Sequence, residues 1–263
     1  MQNTKIATIL IPNFKTYKLT KVCLRLIRKF TDLNKVEVIV IDNNSNDESL
    51  EYLKKLNWIK LIERKGIFNE SGPMSHAKAL DLGLKKVKTQ FVISFHTDTF
   101  VTKEDWLNFV LMPFSDKKVA GVGSWKLEKK NLFKTFGKKI EFLYKKIIGS
   151  DINHQRFNKD YHYLRSHCAI YRMSAIKKTK TFFSDGEESA GKILHKKLIN
   201  NGFKMVFLKT EELIKYVQHV NHATQALNKQ FNIRSAHKVL KSYLNFMNKK
   251  IIRDVLNDSS LDD

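Results

Sequence analysis

Through its first third the chain alternates short, β-branched apolar runs with stretches that repeat at helical spacing. Such alternation builds βαβ units, in which parallel strands form a sheet and the intervening helices cover its faces. "KIATILIP" reads as the first strand, and "LTKVCLRLIRKF" as a helix with Leu19, Val22, Cys23, Leu26, Ile27 and Phe30 on one face. "VEVIVID" is the second strand, and the cap-rich turn "NNSNDES" leads from it into the helix "SLEYLKKL". "WIKLIER" makes a third strand, "SHAKALDLGLKKV" a helix with a serine near its start, and "FVISF" a fourth strand. In "TKEDWLNFVLM" the Thr102 to Asp105 spacing predicts a capping box at the start of the next helix. The fold class is therefore α/β, with a Rossmann-like, mostly parallel sheet flanked by helices.

Beyond "VAGVGSW" the regularity fades. "KLEKKNLFKTFGKKIEFLYKK" carries eight lysines against two glutamates and suits either a basic helix on a membrane or a solvated helix with an aromatic inner face. "SHCAIYR" reads as a strand, "ESAGKILHKKLINNG" as a helix ended by Gly202, and "FKMVFL" as another strand. From Gln225 onward the pattern is helical, amphipathic and basic. Residues 1–224 form the expected main domain and 225–263 a helical C-terminal extension.

With 42% hydrophobic residues and 11% aromatics, a chain of 263 residues can bury a sizeable core, and only the final "NDSSLDD" reads as loose. Cys23 and Cys168 lie far apart, without metal-ligand spacing, and read as reduced core thiols. No apolar run approaches the length of a membrane span, and the N-terminus lacks the apolar centre of a signal peptide. A cytoplasmic location follows. The formal charge of +22 favours acidic partners, among them phosphates, anionic lipid and nucleic acid. Lys, Asn and Ile are all abundant, so part of the lysine excess fits the base composition of the gene.

Ligands of open parallel sheets bind beyond the carboxyl ends of the strands. Three strand ends are rich in polar groups: Pro12-Asn13-Phe14, Asp42-Asn43-Asn44-Ser45 and His96-Thr97-Asp98. All three should face one crevice. Neither G-x-G-x-x-G after the first strand nor a P-loop is present, so a nucleotide would be held by other means. "ILIPNF" and "VIVIDNNSNDES" resemble the opening motifs of the family 2 glycosyltransferases, and the resemblance extends in order over about residues 5 to 222.

That resemblance implies a GT-A fold and inverting transfer from a nucleoside-diphosphate sugar. Asp42 would accept a hydrogen bond from the donor's base, with Pro12, Asn13 and Asn44 lining base and ribose. Asp42, Asn43 and Ser45 also suit a plain helix cap. In "SHAKALDLGL", Asp81 stands where the family has asparagine, and Lys78 is a candidate contact for phosphate. His96-Thr97-Asp98 occupies the place of the family's D-x-D motif, which holds Mn²⁺ or Mg²⁺ against the donor's diphosphate. Asp98 matches the last aspartate. His96 replaces the first, either as an imidazole ligand or as a partner of ribose or phosphate; "HTDT" alone would equally begin a turn.

By the same resemblance, the acidic pair before the helix ending in "GFK" would hold the catalytic base, Glu188, with Glu187 and Asp185 as alternates. Acidic residues there also stabilise a helix N-terminus. His219, and after it His222, would complete the metal site. "DYHYLRSHCAIYR" falls where the family forms its acceptor pocket, and its aromatics suit a sugar face. The resemblance thus implies transfer to a glycan or lipid-linked acceptor in bacterial surface polysaccharide or lipooligosaccharide synthesis. The enzyme would work as a peripheral protein on the inner face of the cytoplasmic membrane, through anionic lipid and as a monomer or homo-oligomer. Two other readings stay open: a basic nucleic-acid-binding protein, supported only by charge, and a GT-A scaffold at the membrane with weakened turnover.

Overall fold

The computed structural model describes residues 5–65, 70–127, 162–186, 189–228 and 236–263. Strands β1 (Ala7–Asn13), β2 (Val36–Asp42), β3 (Lys60–Glu63) and β4 (Phe91–Phe95) run parallel and are linked by helices α1 (Tyr17–Phe30), α2 (Glu48–Lys55) and α3 (Gly72–Leu84). After β4 come β5 (Thr99–Val101), α4 (Trp106–Leu111), β6 (Val119–Gly123), β7 (Cys168–Arg172), α5 (Met173–Thr179), α6 (Lys192–Asn200) and β8 (Lys204–Phe207). The chain closes with α7 (Thr210–Leu213), β9 (Val217–His219), α8 (Ala223–Leu227), α9 (Ala236–Met247) and α10 (Lys250–Asn257). Seven strands form the main sheet in the order β3-β2-β1-β4-β7-β6-β8, as the α/β expectation required. Only β7 runs against its neighbours.

β1 and β4 are buried along their whole length, which is why they read as near-continuous apolar runs. Alternate residues serve two cores. Ile9, Ile11, Val38 and Val40 face α1 and the C-terminal helices, whereas Leu10, Ile39 and Ile41 face α3, α5 and α6. Gly83 lets α3 lie close to the sheet: a Cβ there would come within 2.9 Å of Ile41 Cδ1 and 3.0 Å of Leu10 Cδ2. Cys23 and Cys168 are free and buried, and burial pushes the Cys168 thiol up to about 12.

Several local expectations are corrected. α3 begins at Gly72, capped by Ser71 and started by Pro73, not at the serine in position 75. The Thr102 to Asp105 capping box does not form. The Thr102 hydroxyl instead donates to the carbonyl of Tyr216 at 3.1 Å, fastening β5 to the segment before β9. The β5–β9 ribbon was not foreseen; Thr99 pairs with His219 and Val101 with Val217. The predicted basic segment 126–146 lies almost wholly outside the described residues.

The C-terminal segment turns its apolar face inward. Val239, Tyr243, Phe246, Ile252 and Val255 are buried in the same core as β1 and α1. Arg25 on α1, only 2% exposed, reaches the end of the chain. Its guanidinium donates to the carbonyls of Val255 at 2.9 Å and Leu256 at 2.7 Å, and to both carboxylate oxygens of Asp262. The Tyr52 hydroxyl also donates to Asp262 at 2.7 Å. Among the described residues no helix is long and apolar enough to cross a membrane.

Candidate active site

β1 lies between β2 and β4, so the strand order reverses around it and opens a crevice at the carboxyl ends. A cleft of about 970 Å³ occupies that place. Pro12, Asn13, Phe14, Asn43, Asn44, His96, Thr97 and Asp98 all line it, so the three strand ends do meet.

Asn13 and Asp42 build the floor of this cleft. The Asn13 amide donates to Asp42 Oδ1 at 2.7 Å and Ser49 Oγ at 2.9 Å, and accepts from the Thr20 hydroxyl at 2.6 Å. Asp42 also accepts from the hydroxyl and backbone N–H of Ser45, at 2.6 and 2.9 Å. It is 1% exposed, and the helix cap is Asp47, which accepts from Ser49 N. Asp42 therefore folds its own loop instead of capping α2. The loop residues on the cleft wall are Asn43 and Asn44, the latter exposed and in the left-handed conformation at φ 58°.

At the end of β4, Asp98 is 3% exposed. Its Oδ1 lies 3.2 Å from His219 Nε2 and 3.7 Å from His96 Nδ1, yet has no hydrogen-bond partner of good geometry among the described residues. Burial opposes ionisation of this carboxyl, but the facing imidazoles of His219 and His96 outweigh it and hold the group well below the usual carboxylate range. His219 arrives through the β5–β9 ribbon, and Val220 N donates to the Asp98 carbonyl at 3.0 Å. The ligand atoms of His96, Asp98 and His219 all lie within 4.8 Å of one another. An ionised, buried carboxylate oxygen without a hydrogen bond, flanked by two ring nitrogens, is a donor set that fits a divalent cation.

Two further histidines complete the wall: His76, which the sequence reading did not single out, and His167, which it placed only in the acceptor segment. His76 on α3 meets the His96 ring edge-on at 4.5 Å, and His167 stacks on His219 at 4.8 Å. The His167 Nε2 is held by Ser124 Oγ at 3.1 Å. Burial keeps His76 and His167 well below the ordinary imidazole value; it lowers His96 too, against the pull of Asp98. Burial thus disfavours the charged form of each of these rings. What stays exposed of His96, 29% of its side chain, forms part of the cleft wall.

Other predicted residues stand elsewhere. His222 lines the cleft but is exposed, with Nδ1 2.8 Å from Gln225 Oε1, outside the His96–Asp98–His219 group. Lys78 lies beyond the main cleft and pairs with Glu70 at 2.9 Å, a carboxylate that Arg64 also grips through two bonds of 2.7 Å. Asp81 accepts from Phe183 N at 2.7 Å and Ser184 N at 3.1 Å, tying α3 to the loop that leads to the acidic pair. Asp185 is committed to Thr181 Oγ1, Phe182 N and Lys197 Nζ at 2.8 to 3.0 Å. Glu187 and Glu188 lie outside the described residues, but Ser189 and Ala190, next in the chain, line the cleft.

Of the aromatic segment, Tyr171 and Arg172 turn away. Tyr171 is fully buried, and Arg172 donates to the carbonyls of Phe114 and Val119 at 2.8 and 3.0 Å. The cleft wall is instead Trp125, Arg165, Ser166 and His167. Trp125 stacks on His162 at 4.9 Å and lies under the Arg165 guanidinium at 4.7 Å.

The sequence profile of glycosyl transferase family 2 matches residues 8–180. The chain belongs to that family. Like the family 2 enzymes, it is a glycosyltransferase. No curated protein matches it in sequence. Among solved structures it is similar to Staphylococcus aureus TarS residues 1–349, at 17% identity and a TM-score of 0.55, covering 92% of this chain and 71% of that one. A Pyrobaculum calidifontis mannosyltransferase, solved with GDP-Man and Mn²⁺, gives 13% identity and a TM-score of 0.54, covering 96% and 84%. Mycobacterium tuberculosis glucosyl-3-phosphoglycerate synthase, solved with Mn²⁺, UDP and glucosyl-3-phosphoglycerate, gives 14% and 0.53, covering 93% and 80%. These likenesses establish the GT-A fold.

Proposed function

We propose that the chain transfers a sugar, with inversion, from a nucleoside-diphosphate sugar to a saccharide acceptor. The observation that carries this reading is the meeting of three strand ends in one cleft with His219 beside the buried Asp98 Oδ1, which has no hydrogen-bond partner among the described residues. The loop of Pro12, Asn13, Asn43 and Asn44, held by Asp42, takes the base and ribose. A divalent cation, Mn²⁺ or Mg²⁺ in the family's usual practice, would be held by Asp98 and His219 and neutralise charge building on the departing diphosphate. Thr97 shapes the floor beside them.

Glu188 serves as the base. It takes the proton of an acceptor hydroxyl while that oxygen bonds to the anomeric carbon, and the opposite bond to the diphosphate breaks with its electron pair. The acceptor sugar would sit against the cleft wall of Trp125, Arg165 and Ser166, with Arg165 offering charge at the rim. The setting proposed is surface glycan synthesis at the inner face of the cytoplasmic membrane, where the +22 charge draws the protein to anionic lipid. Flotation of the full chain with anionic and neutral vesicles at rising salt tests that setting; equal recovery with both rejects it.

Donor hydrolysis and thermal shift with UDP, GDP, dTDP and CMP sugars test the chemistry. Wild type should turn over one of them, Asp98→Asn should lose about 10²–10³-fold in kcat, and Glu188→Gln about 10²–10⁴-fold. A chain that neither binds nor turns over any nucleotide sugar, and binds polynucleotide with a steep salt slope, would overturn the reading.

A further inference from the structure

We infer that His96 is a direct ligand, so that the cation site is a set of two imidazoles and one carboxylate that selects a nitrogen-accepting transition ion and turns Mg²⁺ away. This rests on the reading of Asp98 and His219 as a divalent-cation site. It goes beyond that reading in giving the unusual histidine a role and the site a preference.

Geometry is the first support. Two donors bound to one ion at about 2.1 Å stand about 3.0–3.4 Å apart. His219 Nε2 is already 3.2 Å from Asp98 Oδ1 and His96 Nδ1 is 3.7 Å from it, and with all three ligand atoms within 4.8 Å of one another the two rings need only draw together around the ion. The second support is the far side of the His96 ring. Its Nε2 lies 3.0 Å from Ser166 Oγ, and a ring nitrogen that donates there leaves the lone pair of Nδ1 facing Asp98. Imidazoles that bind metals carry this arrangement, with the second nitrogen fixed by a polar neighbour. The ring is also wedged by His76 at 4.5 Å, as His219 is by His167 at 4.8 Å, so neither ligand must be ordered when the ion arrives.

Chemistry then decides which ion. Mg²⁺ demands near-octahedral oxygen ligands, and this site offers one carboxylate and two nitrogens. Imidazole suits the later first-row ions, and affinity rises from Mn²⁺ through Co²⁺. Zn²⁺ also accepts histidine with a carboxylate. The order expected for the free protein is therefore Co²⁺ and Zn²⁺ ahead of Mn²⁺, with Mg²⁺ far behind.

Chelator-stripped full-length protein, titrated with Co²⁺ and followed by visible absorption and calorimetry, tests this without any substrate. Wild type should show ligand-field bands that Zn²⁺ removes and that millimolar Mg²⁺ leaves in place. His96→Gln should weaken Co²⁺ binding about 10–100-fold and shift the bands. His96→Asp should narrow the gap between Co²⁺ and Mg²⁺ by restoring an oxygen donor. Melting of the metal-free proteins checks the fold, and His96→Asp decides if His96→Gln does not fold. Mg²⁺ displacing Co²⁺ at equal concentration, or bands and affinity unchanged in both variants, would overturn the inference. Binding Co²⁺ through His96 but no nucleotide sugar would end the transferase reading and leave this one standing; Mg²⁺-driven turnover indifferent to His96 would do the reverse.

Discussion

Asp81 holds the backbone N–H groups of Phe183 and Ser184 at 2.7 and 3.1 Å from a position on α3, across the second core from the residues it supports. Its carboxylate does for a loop what a capping residue does for a helix: it satisfies donors that no secondary structure reaches. The loop continues through Asp185 and Gly186 to the acidic pair, so on the proposal that Glu188 is the base, Asp81 is expected to act as a positioning residue for it. Asp81→Ala would leave two donors without an acceptor, at a cost of about 2–3 kcal/mol. Donor turnover should fall more than donor binding, because the proposed nucleotide site is built at the strand ends and not by this loop. Asp81→Asn, which keeps one carbonyl oxygen, should recover part of both losses. Urea midpoints with kcat and KM measured separately check this; a loss confined to KM would show that the loop does not present the base.

At the scale of elements, the ribbon of β5 and β9 is what brings His219 to Asp98. Phe100 in β5 stacks on Phe246 of α9 at 4.3 Å, so a helix near the end of the chain props the ribbon from behind. Phe246→Ala should cost about 3–5 kcal/mol and weaken cation binding without touching a ligand, whereas Phe246→Leu should restore most of both. Melting curves and a Co²⁺ titration read the two effects, and intact affinity in a destabilised Phe246→Ala would separate helix from site. The same ribbon marks what sequence reading could reach. β1, β2 and β4 were legible because burial on both faces leaves long apolar runs, and the polar ends of those runs pointed to the cleft. β5 and β9 have three residues each and form only by pairing with each other, so no local pattern announces them. His219 was reached through family resemblance. His76 and Trp125 were not assigned to the site, because a single histidine at a helix start or an indole after a strand carries no periodic signal, whereas His167 was placed in the acceptor segment. Asp42 was legible as a strand-end acid, but its inward hydrogen bonds depend on Asn13 and Ser45 arriving from separate turns.

For the molecule as a whole, the basic C-terminal segment has its apolar face in the core, and Arg25 locks it there. Removing residues after 225 would therefore take Val239, Tyr243, Phe246, Ile252 and Val255 out of that core, and altered vesicle binding by such a fragment would report a broken core. The lock itself can be tested by pH. Burial works against ionisation of Asp262, but hydrogen bonds from Arg25 and Tyr52 outweigh it and hold the carboxyl below the usual value of 3.8. A carboxyl depressed on folding contributes stability that is complete above its unfolded pKa and is lost as pH falls through the folded one. Asp262→Asn should thus be less stable than wild type by about 2 kcal/mol at pH 7, less than the roughly 3–5 kcal/mol of a fully buried pair, because Asp262 keeps 25% of its side-chain surface exposed. The gap should stay constant down to about pH 5 and close below it. Asp254→Asn, on the exposed face of α10, supplies the control. Urea unfolding of the three proteins between pH 7 and 3.5 reads the difference directly. A gap that persists undiminished at the acid end would mean that Asp262 holds the helices by shape alone and that its charge adds nothing to the clamp on Arg25.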